Sequence, residues 1–385
     1  MKKTLIAVAA LSAMAASAMA ANVTLSGVVD FGLNYQHVKD GSDPATNSFT
    51  AKSGQNSGSR FMFKGSEDLG NGVEVGFQLE NGFNSDDGTL SSSRIFHRES
   101  RLYVKTNFGT LHFGRFGGLD AGTGSVSIFG AGDHAAFSTG WGSTIGAESA
   151  VLKGLSSRYD NMIAYESPKF AGLSLHLAHS FKNDSTADGT EGRPSTQQYN
   201  AAGLKYVNGD FNAAFVYSQQ NYKTIGDKVP ENSKAFSLGA GYNFGICKLM
   251  FAGQYFDMGK IASSKTTTSY NTVDGDDGDY ITTAVTNTTY KLDSAQKGWG
   301  GIISVTAPVA GGTLYGSVGY KDADQVGNSK NEYKLWNLAA GYAYSFSKRT
   351  TAYAAVGYTE QKDELTTGTT KTKTTEVAVG LVHKF

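Results

Sequence analysis

Residues 23–35 read VTLSGVVDFGLNY. Val23, Leu25, Gly27, Val29, Phe31, Leu33 and Tyr35 take every second position, with Thr24, Ser26, Asp30 and Asn34 between them. Successive strand side chains point to opposite faces, so the stretch has one greasy face and one wet face. No buried core explains a two-faced strand of this length better than an apolar surrounding on one side and water on the other.

The same alternation runs to the end of the chain. Phe61 and Phe63 oppose Arg60 and Lys64, and after the turn Leu69-Gly70-Asn71-Gly72 the residues Val73, Val75, Phe77 and Leu79 oppose Glu74, Gln78 and Glu80. Leu173, Leu175 and Leu177 share a face, as do Phe211, Phe215 and Tyr217, then Trp336, Leu338 and Tyr342, and finally Val377, Val379, Leu381 and Phe385. Seven short turns, near 69–72, 107–110, 168–172, 208–210, 243–246, 307–312 and 346–349, alternate with eight longer polar segments. These lie near 38–58, 84–94, 117–157, 183–196, 221–232, 259–293, 322–332 and 361–372. Together they join sixteen strands with both termini at the short-turn end.

An even strand number with short turns at one end and long loops at the other describes a transmembrane antiparallel β-barrel. Closure is required, because a sheet edge in lipid leaves amides unpaired. Sixteen strands enclose an aqueous lumen rather than a packed interior. A soluble β-sandwich also alternates, but the strand length, the outward Phe, Tyr and Leu residues and the start of the chain argue against it.

That start reads as an export signal. Lys2 and Lys3 precede an apolar run over 5–14, and Ala18-Met19-Ala20 forms a small-x-small cleavage pattern. Residues 1–20 are therefore expected to be removed, leaving 21–385 as the barrel domain. Without Lys2 and Lys3 the chain carries 32 basic and 34 acidic residues, which gives no global charge argument for nucleic acid. After the signal there is no apolar run of about 18 residues, so an ordinary transmembrane helix is excluded. Cys247 is the only cysteine and cannot form an internal disulfide.

Residues 117–157 contain ten glycines and no sustained helical or strand period. A loop this long without structure of its own usually has a task. It is expected to fold inward as the third long loop and narrow the channel. Its only acids are Asp120, Asp133 and Glu148, the candidate constriction acids. Asp274, Asp276, Asp277 and Asp279 in VDGDDGDY approach a calcium-loop pattern, but the fifth position is Gly278 where an oxygen ligand is needed. A solvated acidic tip is expected there. His176 and His179 lie three apart on a strand and point to opposite faces, so no shared metal is expected. No cofactor is expected. The chain has no G-x-S-x-G, H-E-x-x-H or phosphate-binding glycine motif, and an enzyme is not expected.

The chain resembles the Gram-negative general porins in SGVVDFGL (26–33), GSRFMFKGSEDLGNG (58–72), FQLENGFN (77–84), NFGTLHFGR (107–115), RYDNMIAYESPKFAGLSL (158–175) and VGLVHKF (379–385). The resemblance implies a homotrimer of sixteen-stranded barrels in the outer membrane of a Gram-negative bacterium, among lipid and lipopolysaccharide, with the third loop in the pore. It implies a wall of arginines opposite that loop, matched by Arg60, Arg98 and Arg158, and a C-terminal aromatic, Phe385, read by the outer-membrane assembly machinery. Alternation places Lys64 on the same face as Arg60. In HRESRLYVKT, the charges Glu99, Arg101 and Lys105 fall on what should be the outer face. Charge facing lipid is costly, so with Arg115 they suggest a protein-covered subunit interface, where Asp86 or Asp87 of a neighbour pairs with Arg115.

The function expected is passive diffusion of small hydrophilic solutes and ions. Four basic wall groups face three loop acids, and the wall groups stand on rigid strands, so selectivity is expected to be weak and to lean to anions. A substrate-specific sugar or anion porin is the alternative. A sugar porin would need an aromatic track along the lumen, for which Tyr315 is the inward candidate. A barrel hydrolase of the outer membrane is a distant alternative, expected on ten or twelve strands without a loop in the lumen.

Overall fold

The computed structural model describes residues 23–130, 133–137, 139–146, 148–153, 158–184, 190–193, 196–222, 224, 227–260, 262–274 and 280–385. The segment read as a signal, 1–20, lies outside them, as does the acidic tip 275–279.

The chain opens with β1 (Thr24–Asp40), β2 (Thr46–Ser53), β3 (Arg60–Gly70), β4 (Val73–Gly82), β5 (Glu99–Thr106) and β6 (Gly109–Gly117). After the long third loop come β7 (Arg158–Glu166), β8 (Leu173–Ser180), β9 (Gln198–Asn208), β10 (Phe211–Asn221), β11 (Ser233–Asn243) and β12 (Lys248–Asp257). A hairpin of β13 (Ala262–Asp274) and β14 (Tyr280–Leu292) follows. The wall is completed by β15 (Gln296–Val309), β16 (Gly312–Gln325), β17 (Asn328–Ser345), β18 (Thr350–Leu365) and β19 (Gly368–Lys384).

Each wall strand pairs antiparallel with its sequence neighbour, and β19 returns to β1 with Leu33 opposite Val379. The β2 and β3 strands pair with successive parts of β1: Phe31 faces Ser53, and Val28 faces Arg60. They form one interrupted stave, with 54–59 between them. Because β13 and β14 pair only with each other, the wall has sixteen positions and no open edge. The short turns are tight: Asn71 and Gly72 both have positive φ, at 53° and 78°, which fits a two-residue hairpin of the primed type.

The expected two faces are present. Leu33, Leu175, Phe215, Leu238 and Leu338 are exposed outward, while Asn34, Ser174, Ser237 and Asn337 are buried toward the lumen. Four segments expected as polar loops are largely strand, among them 259–293, which holds the β13–β14 hairpin. Within 38–58 lie the end of β1 and all of β2, and the segments near 322–332 and 361–372 are the continuing hairpins of β16–β17 and β18–β19. Beyond the membrane both faces of a hairpin are wet, so hydrophobic alternation disappears while backbone pairing continues.

The lumen is not simply water. Leu119, Ile128, Phe129, Val151 and Leu152 of the third loop pack against inward Ala214, Val216, Ala252, Ile302 and Leu335 of the wall. Phe137, Trp141 and Ile145 pack against Ala339, Tyr353, Ala355 and Ala378. The wall is made for close approach there: a Cβ on Gly357 would lie 2.6 Å from the Thr144 carbonyl oxygen, and one on Gly239 would run into the His134 ring. The part of the wall under the loop is therefore small and apolar, whereas a wet inner face was expected throughout.

Closure ends at Phe385. Its N–H donates to the Gly27 carbonyl at 3.1 Å, and its carbonyl accepts from the Gly27 N–H at 2.9 Å. Deleting Phe385 removes both bonds and the ring that covers Gly27. The heat-unfolding midpoint of the barrel, read by electrophoretic mobility, is expected to fall by the equivalent of about 1–3 kcal/mol. An unchanged midpoint would show that the last residue contributes nothing to closure.

Candidate functional site

The site grows from the ends of four staves, those of β3, β4, β5 and β7. Arg60 opens β3, and its Nη1 donates to the Gly58 carbonyl at 2.7 Å and to Ser57 Oγ at 3.2 Å. Arg98 stands just before β5 and donates from Nε to Glu80 Oε1 at 2.5 Å. The same carboxylate lies 3.7 Å from Arg60 Nε, so Glu80 on β4 ties the two arginines together. Arg158 opens β7 and reaches Thr123 of the third loop, with Nη2 donating to Oγ1 at 3.1 Å. All three arginines line one cavity of about 790 Å³. Lys64 does not line it: four residues further along β3, it stands roughly 13 Å nearer the short-turn end.

Of the three loop acids, only Asp133 faces this cavity. Asp120 is buried against the wall, accepting from Tyr199 Oη at 2.7 Å and Ser218 Oγ at 2.6 Å. Burial raises its carboxyl above the ordinary range, against the pull of those two hydrogen bonds. Glu148 begins the helical turn α1 (Glu148–Val151), which packs against β15, β16 and β17. It is 3% exposed, and its Oε2 has no hydrogen-bond partner among the described residues. Burial pushes its carboxyl up to about 8. The expectation that all three acids oppose the arginines is corrected for Asp120 and Glu148, because burying the loop's apolar side chains turns these acids to the wall. Asp133 in turn lies 3.4 Å from Lys205 and 3.7 Å from Lys248.

The parity assigned to β5 is also corrected. Leu102 is the exposed residue, and Glu99 and Arg101 point inward. Glu99 accepts from the N–H and the Oγ of Ser125, both at 2.6 Å, which fastens the third loop beside the arginines. Arg101 Nε lies 3.5 Å from Glu99, and its guanidinium also reaches Gln78 and His112. These charges meet lumen groups, so they no longer argue for a protein-covered outer face. Arg115 is engaged within its own chain: Nη1 lies 2.5 Å from Asp160 Oδ1, and Nε donates to the His97 carbonyl at 2.7 Å. Asp160 is shared with Arg94 at 2.8 Å. Asp86 and Asp87 sit exposed at the tip of the second loop, where Asp87 Oδ1 accepts from the Thr89 N–H at 2.8 Å.

Sequence reasoning missed one part of the ring entirely. Residues 54–59 fold into the barrel and carry Asn56, Ser57 and Gly58 to the cavity. Asp30 holds them there: one carboxylate oxygen accepts from the N–H groups of Asn56 and Ser57, each at 2.7 Å, and the other from Tyr353 Oη at 2.7 Å. Asp30 was legible as inward, but nothing in alternation says that it caps a loop. Glu80 was likewise readable as inward without being singled out. Trp141 and Tyr315 also line the cavity, the latter where alternation placed it.

A family model described as Gram-negative porin matches residues 7–364. An outer membrane porin protein of Bordetella pertussis is 31% identical over 407 residues, covering all of both chains. Outer membrane porin protein 32 of Delftia acidovorans is 28% identical, covering 96% of this chain and 92% of that one. The solved anion-selective porin from Comamonas acidovorans matches with a TM-score of 0.62 and 26% identity, over 95% of this chain and all of the other.

Glu148 generates a pH test. Its value in the seated loop lies above the ordinary 4.5, so seating is fullest below about 4.5 and is lost as pH rises through about 8. Amide exchange over 148–152 is expected to quicken between pH 6 and pH 9, beyond the intrinsic rate, and to lose this excess in Glu148→Gln. The same excess in both proteins would mean that Glu148 does not control seating.

Proposed function

Because the chain belongs to the Gram-negative porin family, we propose that it works as an outer-membrane diffusion channel whose eyelet leans weakly toward anions. It passes small hydrophilic solutes and ions passively through the lumen. The constriction is the cavity between the arginine wall, residues 54–59 and the third loop, 117–157.

One observation carries the anion preference. The loop acid that faces the cavity, Asp133, is held between Lys205 and Lys248, while Glu80 is held by Arg60 and Arg98 and Glu99 by Arg101. Counting these groups with Arg158, the eyelet and its immediate partners carry six basic and three acidic side chains. In a low-dielectric constriction such an excess raises the local concentration of anions. The anion-selective porin from Comamonas acidovorans, similar over its whole length, supports the same sign. Trp141 and Tyr315 are two aromatics in a cavity otherwise lined largely by polar and charged groups, short of the continuous track a sugar porin needs. Sixteen staves and a loop in the lumen favour a channel over a hydrolase borne on a barrel rim.

The assembly reading is part of the proposal. Residues 1–20 act as the cleaved export signal and Phe385 as the mark read by the assembly machinery. The protein is a homotrimer among lipid and lipopolysaccharide, with the exposed Asp86 and Asp87 tip available to a neighbouring subunit. Arg115, expected to pair with that tip, is engaged inside its own chain by Asp160. A functional monomer in mild detergent would contradict the trimer.

Arg60→Ser tests the eyelet. In a potassium chloride gradient, the chloride-to-potassium permeability ratio is expected to fall by about twofold. Conductance is expected to hold or rise, because a bulky group has left the ring. An unchanged reversal potential would remove Arg60 from the eyelet and the anion preference with it.

A further inference from the structure

Residues 54–59 form a strap that touches the other parts of the eyelet. A Cβ on Gly58 would lie 3.1 Å from Arg98 Nη1. The Gly58 carbonyl and Ser57 Oγ both accept from Arg60 Nη1, at 2.7 Å and 3.2 Å. Gly140 of the third loop lies over the strap, where a Cβ would come 3.0 Å from the Gly54 carbonyl oxygen and 3.3 Å from that of Gln55. The strap thus stands between the third loop and two of the eyelet arginines.

No strand pairing holds it, because it belongs to neither β2 nor β3. Its place is set by Asp30, at the point where β1 loses its strand partner on that side: Phe31 is the last β1 residue paired with β2, and Val28 the last paired with β3. Asp30 is fully buried and turns all its polar groups to this gap. Its N–H donates to Ser59 Oγ at 3.0 Å, and its carbonyl accepts from the Gly54 N–H at 3.0 Å. Its carboxylate takes the N–H groups of Asn56 and Ser57 on one oxygen and Tyr353 Oη on the other. The Tyr353 ring meets Trp141 of the third loop edge to face, with centroids 5.0 Å apart. Hydrogen bonds to a carboxylate are the stronger kind, so the strap is clasped rather than merely packed.

The clasp matters for charge. Glu80 Oε1 accepts from Arg98 Nε at 2.5 Å but stays 3.7 Å from Arg60 Nε, too long for a hydrogen bond. The strap's carbonyl and hydroxyl hold Arg60 instead. Both are neutral, so they orient the guanidinium without cancelling its charge. Without the strap Arg60 is left with Glu80, and a close ion pair there would weaken the field that an anion meets.

We propose that Asp30 is a positioning residue of the eyelet: by clasping residues 54–59 it keeps Arg60 apart from Glu80 and so sets the strength of the anion preference. Asp30 does not line the cavity and acts through Arg60. The inference rests on the reading of this cavity as the constriction of a channel.

The test is the reversal potential of the full protein in a potassium chloride gradient, for Asp30→Ala, Asp30→Asn, Arg60→Ser and the double variant Asp30→Ala with Arg60→Ser. Asp30→Ala is expected to lower the chloride-to-potassium permeability ratio by about 1.5-fold. Direct electrostatics predicts the opposite sign, because the substitution removes a negative charge. Asp30→Asn, whose side-chain oxygen can still take the strap N–H groups, is expected to keep the wild-type ratio or exceed it. In the Arg60→Ser background Asp30→Ala is expected to cause no further fall, since the group it acts through is gone. A merely structural role would lower the heat-unfolding midpoint without this dependence on Arg60. If Asp30→Ala fails to insert, Tyr353→Phe, which removes only the hydroxyl on the other carboxylate oxygen, carries the comparison, with a smaller fall expected. An unchanged or raised ratio in the variant that carries the comparison overturns the proposal, as does an equal fall with and without Arg60. If Arg60→Ser shifts the ratio and the clasp variant does not, the channel reading stands and the role of Asp30 falls; if Arg60→Ser shifts nothing, both fall.

Discussion

An amide group facing hydrocarbon has no water to bond to, and this constraint shapes every other part of the molecule. It forces the sheet to close, so β19 must find β1 and the chain must end where Phe385 meets Gly27. It also demands an apolar outer face, which leaves polar and small residues on the inside. Closing sixteen staves makes a lumen too wide to be filled by the wall's own side chains. The width has to be taken up by something else, and in this chain two loops do so.

The third loop has little regular structure among its described residues, a 3-10 turn at Thr139–Trp141 and the helical turn α1; it is held by the wall it lies on. Glycines and alanines on the inner face let its backbone and its buried Leu, Ile and Phe side chains come close. Hydrogen bonds then set its register: Glu99 holds Ser125 at one end, Asp120 joins Tyr199 and Ser218 in the middle of the wall, and Lys153 meets Gln254 at the other end. Asp30 does the same for residues 54–59 from the opposite side. The cavity between them inherits its charge from strand ends, where Arg60, Arg98 and Arg158 have little freedom to turn away.

Much of the fold was legible because the membrane writes a period of two into the sequence. Val23 to Tyr35 shows it without reference to anything else, and the turn count then yields sixteen staves. The reading failed where that period carries no information. In β5 the short run Leu102 and Val104 competes with Tyr103 and three charges, so the faces were exchanged, and Glu99 and Arg101 were placed outside. In the third loop no period exists, so Asp120, Asp133 and Glu148 looked alike; only packing separates one lumen acid from two buried ones. The inward fold of 54–59 was hidden because SGQNS reads as any polar loop. Arg60, Arg98 and Arg158 were found through family resemblance more than through alternation, which alone supports Arg60 and also offers the more distant Lys64.

The central claim is that the third loop rests against the inner wall and thereby defines the channel. Its most direct test is a cross-link where the Ala136 N–H meets Ser304 Oγ at 2.9 Å. Ala136→Cys and Ser304→Cys are combined with Cys247→Ser, so that no other thiol is present, and single-channel conductance is recorded before and after mild oxidation. The account predicts that the disulfide forms readily and leaves conductance essentially unchanged, because the loop already lies where the bond would hold it. Failure of the two thiols to join, or a clear change of conductance when they do, would contradict it.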